Sequence, residues 1–208
     1  MLTLYHSPWT RSTGVRILLE ELGAPYEMRV INRASGEQRG EAYRRVNPLG
    51  KVPAIDHDGA IVTEQVAIYI YLADAFPDRG LAPAIGDRLR DPYLRWLAFY
   101  GSAFEPALVD FHLKREPAHP GMSPYGTYDE VIDLLSSQLK TGPYLFGDRL
   151  TAADLLWGTA LGWTTQFKLV PERPEFAAYI ARINQLPSAQ KVGAEDAELA
   201  KTHHPRPS

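Results

Sequence analysis

The chain has 208 residues, 45% hydrophobic and 23% charged, with a net charge of −3 from 22 basic and 25 acidic side chains; this is the mix of a folded globular protein and argues against a nucleic-acid binder with a basic face. It has no cysteine, which excludes disulfides, thiolate metal sites and any reaction with a protein thiol as nucleophile. No apolar run reaches the ~18 residues of a membrane span, and the opening MLTLYHSPWTRS lacks the layout of a secretory signal, so a soluble cytoplasmic protein is expected, with no membrane partner.

Leu2-Thr3-Leu4-Tyr5 reads as a short strand, followed by a polar loop from Ser7 to Ser12. Val15, Leu18, Leu19 and Leu22 then recur at helical spacing, with Gly23 as a stop. Tyr26, Met28 and Val30 alternate with Glu27 and Arg29, the period of a half-buried strand. The strand–helix–strand order predicts a parallel pair. After a polar loop, a short helix is expected over Glu41 to Val46, then a turn at Asn47-Pro48-Leu49-Gly50. Val52 to Asp56 and Ala60 to Thr63 are β-prone runs around His57-Asp58-Gly59, which predicts a hairpin. Glu64 to Phe76 carries Val66, Tyr69, Ile70 and Ala73 on one helical stripe. The first part is therefore α/β, in the order β-α-β-α-β-β-α.

A stretch rich in proline and glycine follows, and beyond it the pattern holds no strand. Helices are expected over 87–116 with a kink at Pro106, over 125–140, over 152–167 and over 174–186. The third is apolar almost all round and so central. A break is expected at 117–123, and 201–208 reads as a frayed polar tail. This divides the chain into an α/β domain at 1–77, a linker at 78–86 and an all-α domain at 87–208.

The nucleotide-binding, zincin and serine-hydrolase motifs are absent. None of the six histidines has a partner at zinc-ligand spacing on a predicted helix, and His203-His204 reads as a solvated pair, so no metal is expected. Four features remain. The loop Ser7-Pro8-Trp9-Thr10-Arg11-Ser12-Thr13 opens the first helix; Ser12 or Thr13 is the expected N-cap, and the helix end could also receive an anion. Val52-Pro53 starts a strand, either as ordinary trans edge design or as a cis bond presenting the Val52 backbone to a peptide-like ligand; only about 5–6% of such bonds are cis. Glu64 and Gln65 open a helix, where Glu64 either serves the dipole or meets a ligand ammonium while Gln65 takes a carboxylate. Thr151 with Asp154 three residues later reads as a capping box, a folding feature rather than a chemical one.

In this order and spacing, the four features resemble a cytosolic glutathione S-transferase over nearly the whole chain. The matching pieces run from Leu4-Tyr5 through Leu19-Glu20-Glu21-Leu22-Gly23, then Asn47-Pro48-Leu49-Gly50-Lys51-Val52-Pro53, Thr63-Glu64-Gln65-Val66-Ala67-Ile68-Tyr69-Ile70-Tyr71-Leu72 and Gly147-Asp148-Arg149-Leu150-Thr151-Ala152-Ala153-Asp154. The resemblance implies a thioredoxin-like domain followed by a helical one, and a cis bond before Pro53. It implies that Val52 pairs its backbone with glutathione, that Glu64 and Gln65 hold the γ-glutamyl end, and that Lys51, with Gln38 or Arg39, reaches the glycine carboxylate. It further implies a homodimer.

A free thiol is only a few per cent ionised at neutral pH, and a hydroxyl donor at a helix end lowers its pKa. The resemblance places Thr10 first for that role, then Ser12, then Tyr5, with Ser7 weaker. Threonine at that position and Gln65 in place of the usual serine depart from the family pattern. The second substrate, a hydrophobic electrophile of the detoxification type, is expected between the domains. Tyr100, Phe104, Leu108 and His112 on the long helix, Trp163 on the central one and Trp9 from the loop are its candidate lining. Two alternatives remain: a non-catalytic member binding glutathione, an apolar ligand or a protein, and a structural domain that has lost glutathione.

Overall fold

Leu2–His6 forms the first strand (β1), with Leu2, Leu4 and Tyr5 buried. The computed structural model describes residues 1–203 apart from Pro117 and Pro120. The expected break at 117–123 therefore lies partly outside the described residues, and His204 with the rest of the tail lies wholly outside them.

The loop after β1 leads into helix α1, Arg11–Leu22. Its N-cap is Thr10 rather than Ser12 or Thr13, because the Thr10 hydroxyl accepts the Ser12 N–H at 3.2 Å and the helix starts one residue later. Gly23 closes it as expected, with its N–H bonded to Glu20. Strand β2, Glu27–Val30, pairs parallel with β1, Thr3 facing Glu27 and His6 facing Val30.

A single 3₁₀ turn at 37–39 and the short helix α2, Glu41–Arg44, carry the chain to the Asn47–Gly50 turn. Gly50 has φ 63°, and a Cβ there would stand 2.5 Å from the Gln38 carbonyl oxygen, so the turn packs where only glycine fits. Strands β3, Ala54–His57, and β4, Ala60–Thr63, form the hairpin. Its corner residues Asp58 and Gly59 both have positive φ, 52° and 87°, as a type I′ turn requires. The sheet order is β2-β1-β3-β4, with β1 and β3 antiparallel in the middle. Helix α3, Gln65–Ala75, follows β4 and buries Ile68, Tyr69, Leu72 and Ala73. The order and the parallel pair match the sequence expectation.

Beyond Gly80 the described residues hold helices and no named strand. Helix α4, Arg90–Phe99, runs into a π-helical turn at Tyr100–Phe104 and on into α5, Glu105–His112. The expected kink at Pro106 takes this form: the ring cannot bond to the carbonyl four residues back, and the preceding turn widens. Helix α6, Tyr128–Leu139, starts later than expected, at a Thr127–Glu130 capping box. Helix α7, Ala152–Gln166, is central, with Trp157 wholly buried against Trp96 and Phe104. Its own capping box joins Thr151 and Asp154. Asp154 also accepts the Leu145 N–H at 2.7 Å and the Tyr179 hydroxyl at 2.9 Å. Helix α8, Pro174–Asn184, packs on α7.

The sequence pattern predicts no helix after residue 186. The structure has one, α9, Pro187–His203, which absorbs Lys201 and His203 from the expected tail. Its buried residues are Ser188, Val192, Asp196 and Ala200. They recur every four residues but offer one sizeable apolar side chain, so the stripe was invisible as hydrophobic periodicity.

The described residues fall into two compact units, 1–80 with 185–203, and 81–184. The division expected from the sequence puts everything after 87 together. Compactness instead groups α9 with the α/β unit, through its packing on α1. No described helix is long and apolar enough to cross a membrane.

Candidate active site

The end of β1, the loop after it and the start of α1 bring four hydroxyl or imidazole groups together. Thr10 Oγ1 lies 2.7 Å from Ser12 Oγ and donates within reach of the Ser7 carbonyl, also at 2.7 Å. Ser12 Oγ accepts the Ser7 N–H at 3.1 Å, lies 3.0 Å from the Ser7 carbonyl, and meets His6 Nδ1 at 2.9 Å. His6 Nε2 in turn meets Asp196 Oδ1 at 3.0 Å. Thr13 and Arg16 of α1 also donate to Asp196, and Arg16 reaches Glu195 with its other nitrogen. Burial alone would raise the Asp196 carboxyl. The hydrogen bond from His6, with the Thr13 hydroxyl and the Arg16 guanidinium, outweighs it and holds the carboxyl below its usual range.

These groups differ in access. His6 and Ser12 have no exposed surface, whereas Thr10 is half-buried and Trp9 beside it is 46% exposed. Trp9 has φ 56°, a left-handed backbone rare for a bulky residue, in the loop that presents it. Tyr5 is 8% exposed and packs with Ile31, Tyr43 and Ala54, its ring 5.6 Å from that of Tyr43. Thr10 is thus the hydroxyl with access to solvent among the three candidates Thr10, Ser12 and Tyr5.

The Val52–Pro53 bond is cis, as the resemblance implied and against the general preference. Strand β3 begins only at Ala54, so both residues stand before its pairing with β1. The Lys51 carbonyl is fixed by the Tyr43 hydroxyl at 2.6 Å and the Asn47 side chain at 2.9 Å. Neither anchor was singled out from the sequence, although Asn47 lies within the quoted turn. The Lys51 side chain is exposed. Glu64 is exposed with φ 67°, another left-handed position for a residue with a side chain, directly before α3. Gln65 is the first residue of α3, and its side chain donates to the Arg11 carbonyl at 3.3 Å. The 1–80 part of the first unit therefore holds Thr10, Val52, Pro53, Glu64 and Gln65 at three turns: Thr10 and the Glu64–Gln65 pair between a strand and a helix, Val52–Pro53 directly before β3.

Family models for the glutathione S-transferase N-terminal domain and C-terminal domain match residues 6–75 and 125–182. A glutathione transferase structure from Methylococcus capsulatus is 31% identical, with a TM-score of 0.79 over 95% of this chain and 100% of that one. The chain belongs to the glutathione S-transferase family. A sphingomonad glutathione S-transferase complexed with glutathione is 30% identical, with a TM-score of 0.76 over 94% of this chain and 98% of that one. The glutathione S-transferase GstA of Escherichia coli O157:H7 is 28% identical over 90% of this chain and 94% of its own length. The fold is accordingly that of a glutathione-binding transferase, a thioredoxin-like part and a helical part.

Within this family member, the residues expected to line a second-substrate pocket fall in different surroundings. Tyr100 and Phe104 are buried with their rings on Trp157, at centroid distances of 5.5 and 4.9 Å, and Leu108 is buried as well. They belong to the core of the helical unit. His112 is exposed at the end of α5, and Trp163 is half-buried with its ring 6.4 Å from that of Phe167. Among the described residues no cluster of three His, Cys, Asp or Glu side chains is arranged to hold a metal ion.

Proposed function

We propose that the protein is a glutathione transferase in which the Thr10 hydroxyl donates to the thiolate of glutathione, readying it to attack a hydrophobic electrophile. The observation that carries this reading is the half-buried Thr10 hydroxyl capping the N-terminus of α1. A donor and the positive end of a helix dipole meet there, and both favour an anion. Glutathione would lie along Val52 and Pro53, with its γ-glutamyl end at Glu64 and Gln65 and its glycine end toward Lys51. In support, Val52 makes no backbone hydrogen bond to any described residue, and a γ-glutamyl ammonium suits the exposed Glu64 carboxylate. The exposed Trp9 ring beside Thr10 supplies an apolar face for the electrophile. Cytoplasmic, homodimeric assembly belongs to the same reading.

The thiolate sulfur attacks the electrophilic carbon, the carbon–sulfur bond forms, and the displaced group leaves with the bond electrons. A hydrogen bond to a charged group contributes roughly 1.5–3 kcal/mol. That corresponds to about one to two units of thiol pKa.

The test is a glutathione titration followed by thiolate absorbance across the window from about two units below to about one unit above the free-thiol pKa. Thr10→Ala should raise the bound thiol by about one to two units and cut turnover at neutral pH by about 10- to 100-fold. Thr10→Ser should retain most of both. A bound thiol with the free value in the unmodified protein would overturn the reading.

A further inference from the structure

The glutathione site needs one donor, yet behind Thr10 the structure holds an unbroken series of buried polar groups that ends on the last described helix. Successive separations are 2.7 Å from Thr10 Oγ1 to Ser12 Oγ, 2.9 Å from Ser12 Oγ to His6 Nδ1, and 3.0 Å from His6 Nε2 to Asp196 Oδ1. We propose that Thr10, Ser12, His6 and Asp196 form a proton relay through which the buried imidazole of His6 takes the thiol proton of bound glutathione. The relay rests on the reading that the sulfur of glutathione sits at Thr10.

The proton positions follow from counting donors. The Asp196 carboxylate can only accept, and it already receives Thr13 and Arg16. A neutral His6 must therefore carry its hydrogen on Nε2, leaving Nδ1 as an acceptor in a site with no exposed surface. An unmet acceptor there would be costly. Its neighbour is the Ser12 hydroxyl, which accordingly donates to it. Ser12 Oγ then has lone pairs for the Ser7 N–H and for the Thr10 hydroxyl. Thr10 accepts the Ser12 N–H and keeps one lone pair for an incoming S–H. The Ser7 carbonyl is the competing acceptor for both hydroxyls, but it does nothing for His6 Nδ1.

The Ser12 hydrogen thus points towards His6, and the Thr10 hydrogen, which the Ser7 carbonyl also accepts at 2.7 Å, turns to Ser12 Oγ at the same distance for the transfer. When the thiol ionises, its proton passes to Thr10 Oγ1, the former Thr10 proton to Ser12, and the former Ser12 proton to His6 Nδ1. The result is a thiolate that accepts a hydrogen bond from Thr10 and an imidazolium that faces Asp196. No bond other than these O–H, N–H and S–H bonds changes, and the reverse shift returns the proton when the thiolate is consumed. The charges around His6 are Asp196 and Glu195 from α9 and Arg16 from α1, with Tyr26 and Glu20 adjoining Arg16. Asp196 sets the tautomer and balances the imidazolium, so it acts as a positioning residue.

The discriminating measurement counts protons. At neutral pH free glutathione is almost wholly thiol. If the proton leaves for solvent, each thiolate formed on binding releases one. If His6 takes it, thiolate forms with release close to zero. Thiolate is read from ultraviolet absorbance, and release from the dependence of the binding heat on buffer ionisation enthalpy. Ser12→Ala, which cuts the relay with the smallest change in volume, should restore release of one proton per thiolate while Thr10 remains. One-for-one release in the unmodified protein would overturn the relay and leave the transferase reading standing. Absence of thiolate in the unmodified protein would overturn both.

Discussion

Asp154 has no exposed surface, yet both of its carboxylate oxygens are engaged. One takes the Thr151 N–H at 2.8 Å and the Thr151 hydroxyl at 2.7 Å, the other the Leu145 N–H and the Tyr179 hydroxyl. Replacing it by alanine would leave buried donors unmet at the start of α7, in the loop before it and on α8. Each orphaned group costs about 1–3 kcal/mol, so Asp154→Ala should lower unfolding stability by about 3 kcal/mol or more, measured by urea denaturation. Half of this site was legible in advance: the three-residue spacing from Thr151 marks a capping box wherever it precedes an apolar helix. Leu145 and Tyr179 carry no such mark, because their distance from Asp154 in sequence has no local pattern. His6 and Asp196 are the sharper case. Each reads in isolation as an ordinary polar residue, and only the fold brings 190 residues of separation down to a hydrogen bond.

Helices were legible where their contact stripe is made of large apolar residues. In α7, Leu155, Leu156, Trp157 and Leu161 are all buried, and the apolar run was plain. Helix α9 was not, because its stripe of Ser188, Val192, Asp196 and Ala200 is small or charged and depends on partners in α1. Small residues at such seams carry close approaches. A Cβ added to Gly158 of α7 would lie 2.3 Å from Cγ1 of Ile183 on α8. Overpacking of this kind costs about 1–3 kcal/mol, so Gly158→Ala should destabilise by that order in chemical denaturation. Ile183→Ala, which removes the clashing Cγ1 and Cγ2, should cost less in the Gly158→Ala background than in the unmodified protein, so the two changes should be non-additive because the side chains share one contact. Equal and additive losses would show that the helices simply move apart.

At the scale of the molecule, the α/β unit is discontinuous in sequence, drawn from 1–80 and 185–203 around the helical unit. The guanidinium of Arg16 is 3% exposed and meets Asp196 and Glu195. A chain ending at residue 184 would strip this charge of both partners and uncover the face of α1 on which α9 packs. The shortened chain should therefore lose protection in α1 and β1, read by hydrogen exchange, more than in α7. Retained protection in β1 would show that the sheet stands without α9. The order of elements and the parallel pair were readable from periodicity and turn chemistry. The allegiance of the last helix was not, because periodicity reports that a helix is buried and never against what.

That discontinuity also sets a clock. Ribosomes extend chains at about 5–20 residues per second, so the 190 residues between His6 and Asp196 and the 180 between Arg16 and Asp196 separate their emergence by roughly ten to forty seconds. Until then α1 carries a cation without its two carboxylate partners, and β1 an imidazole with no carboxylate to orient it. The buried cluster around His6 is consequently incomplete until α9 has been made.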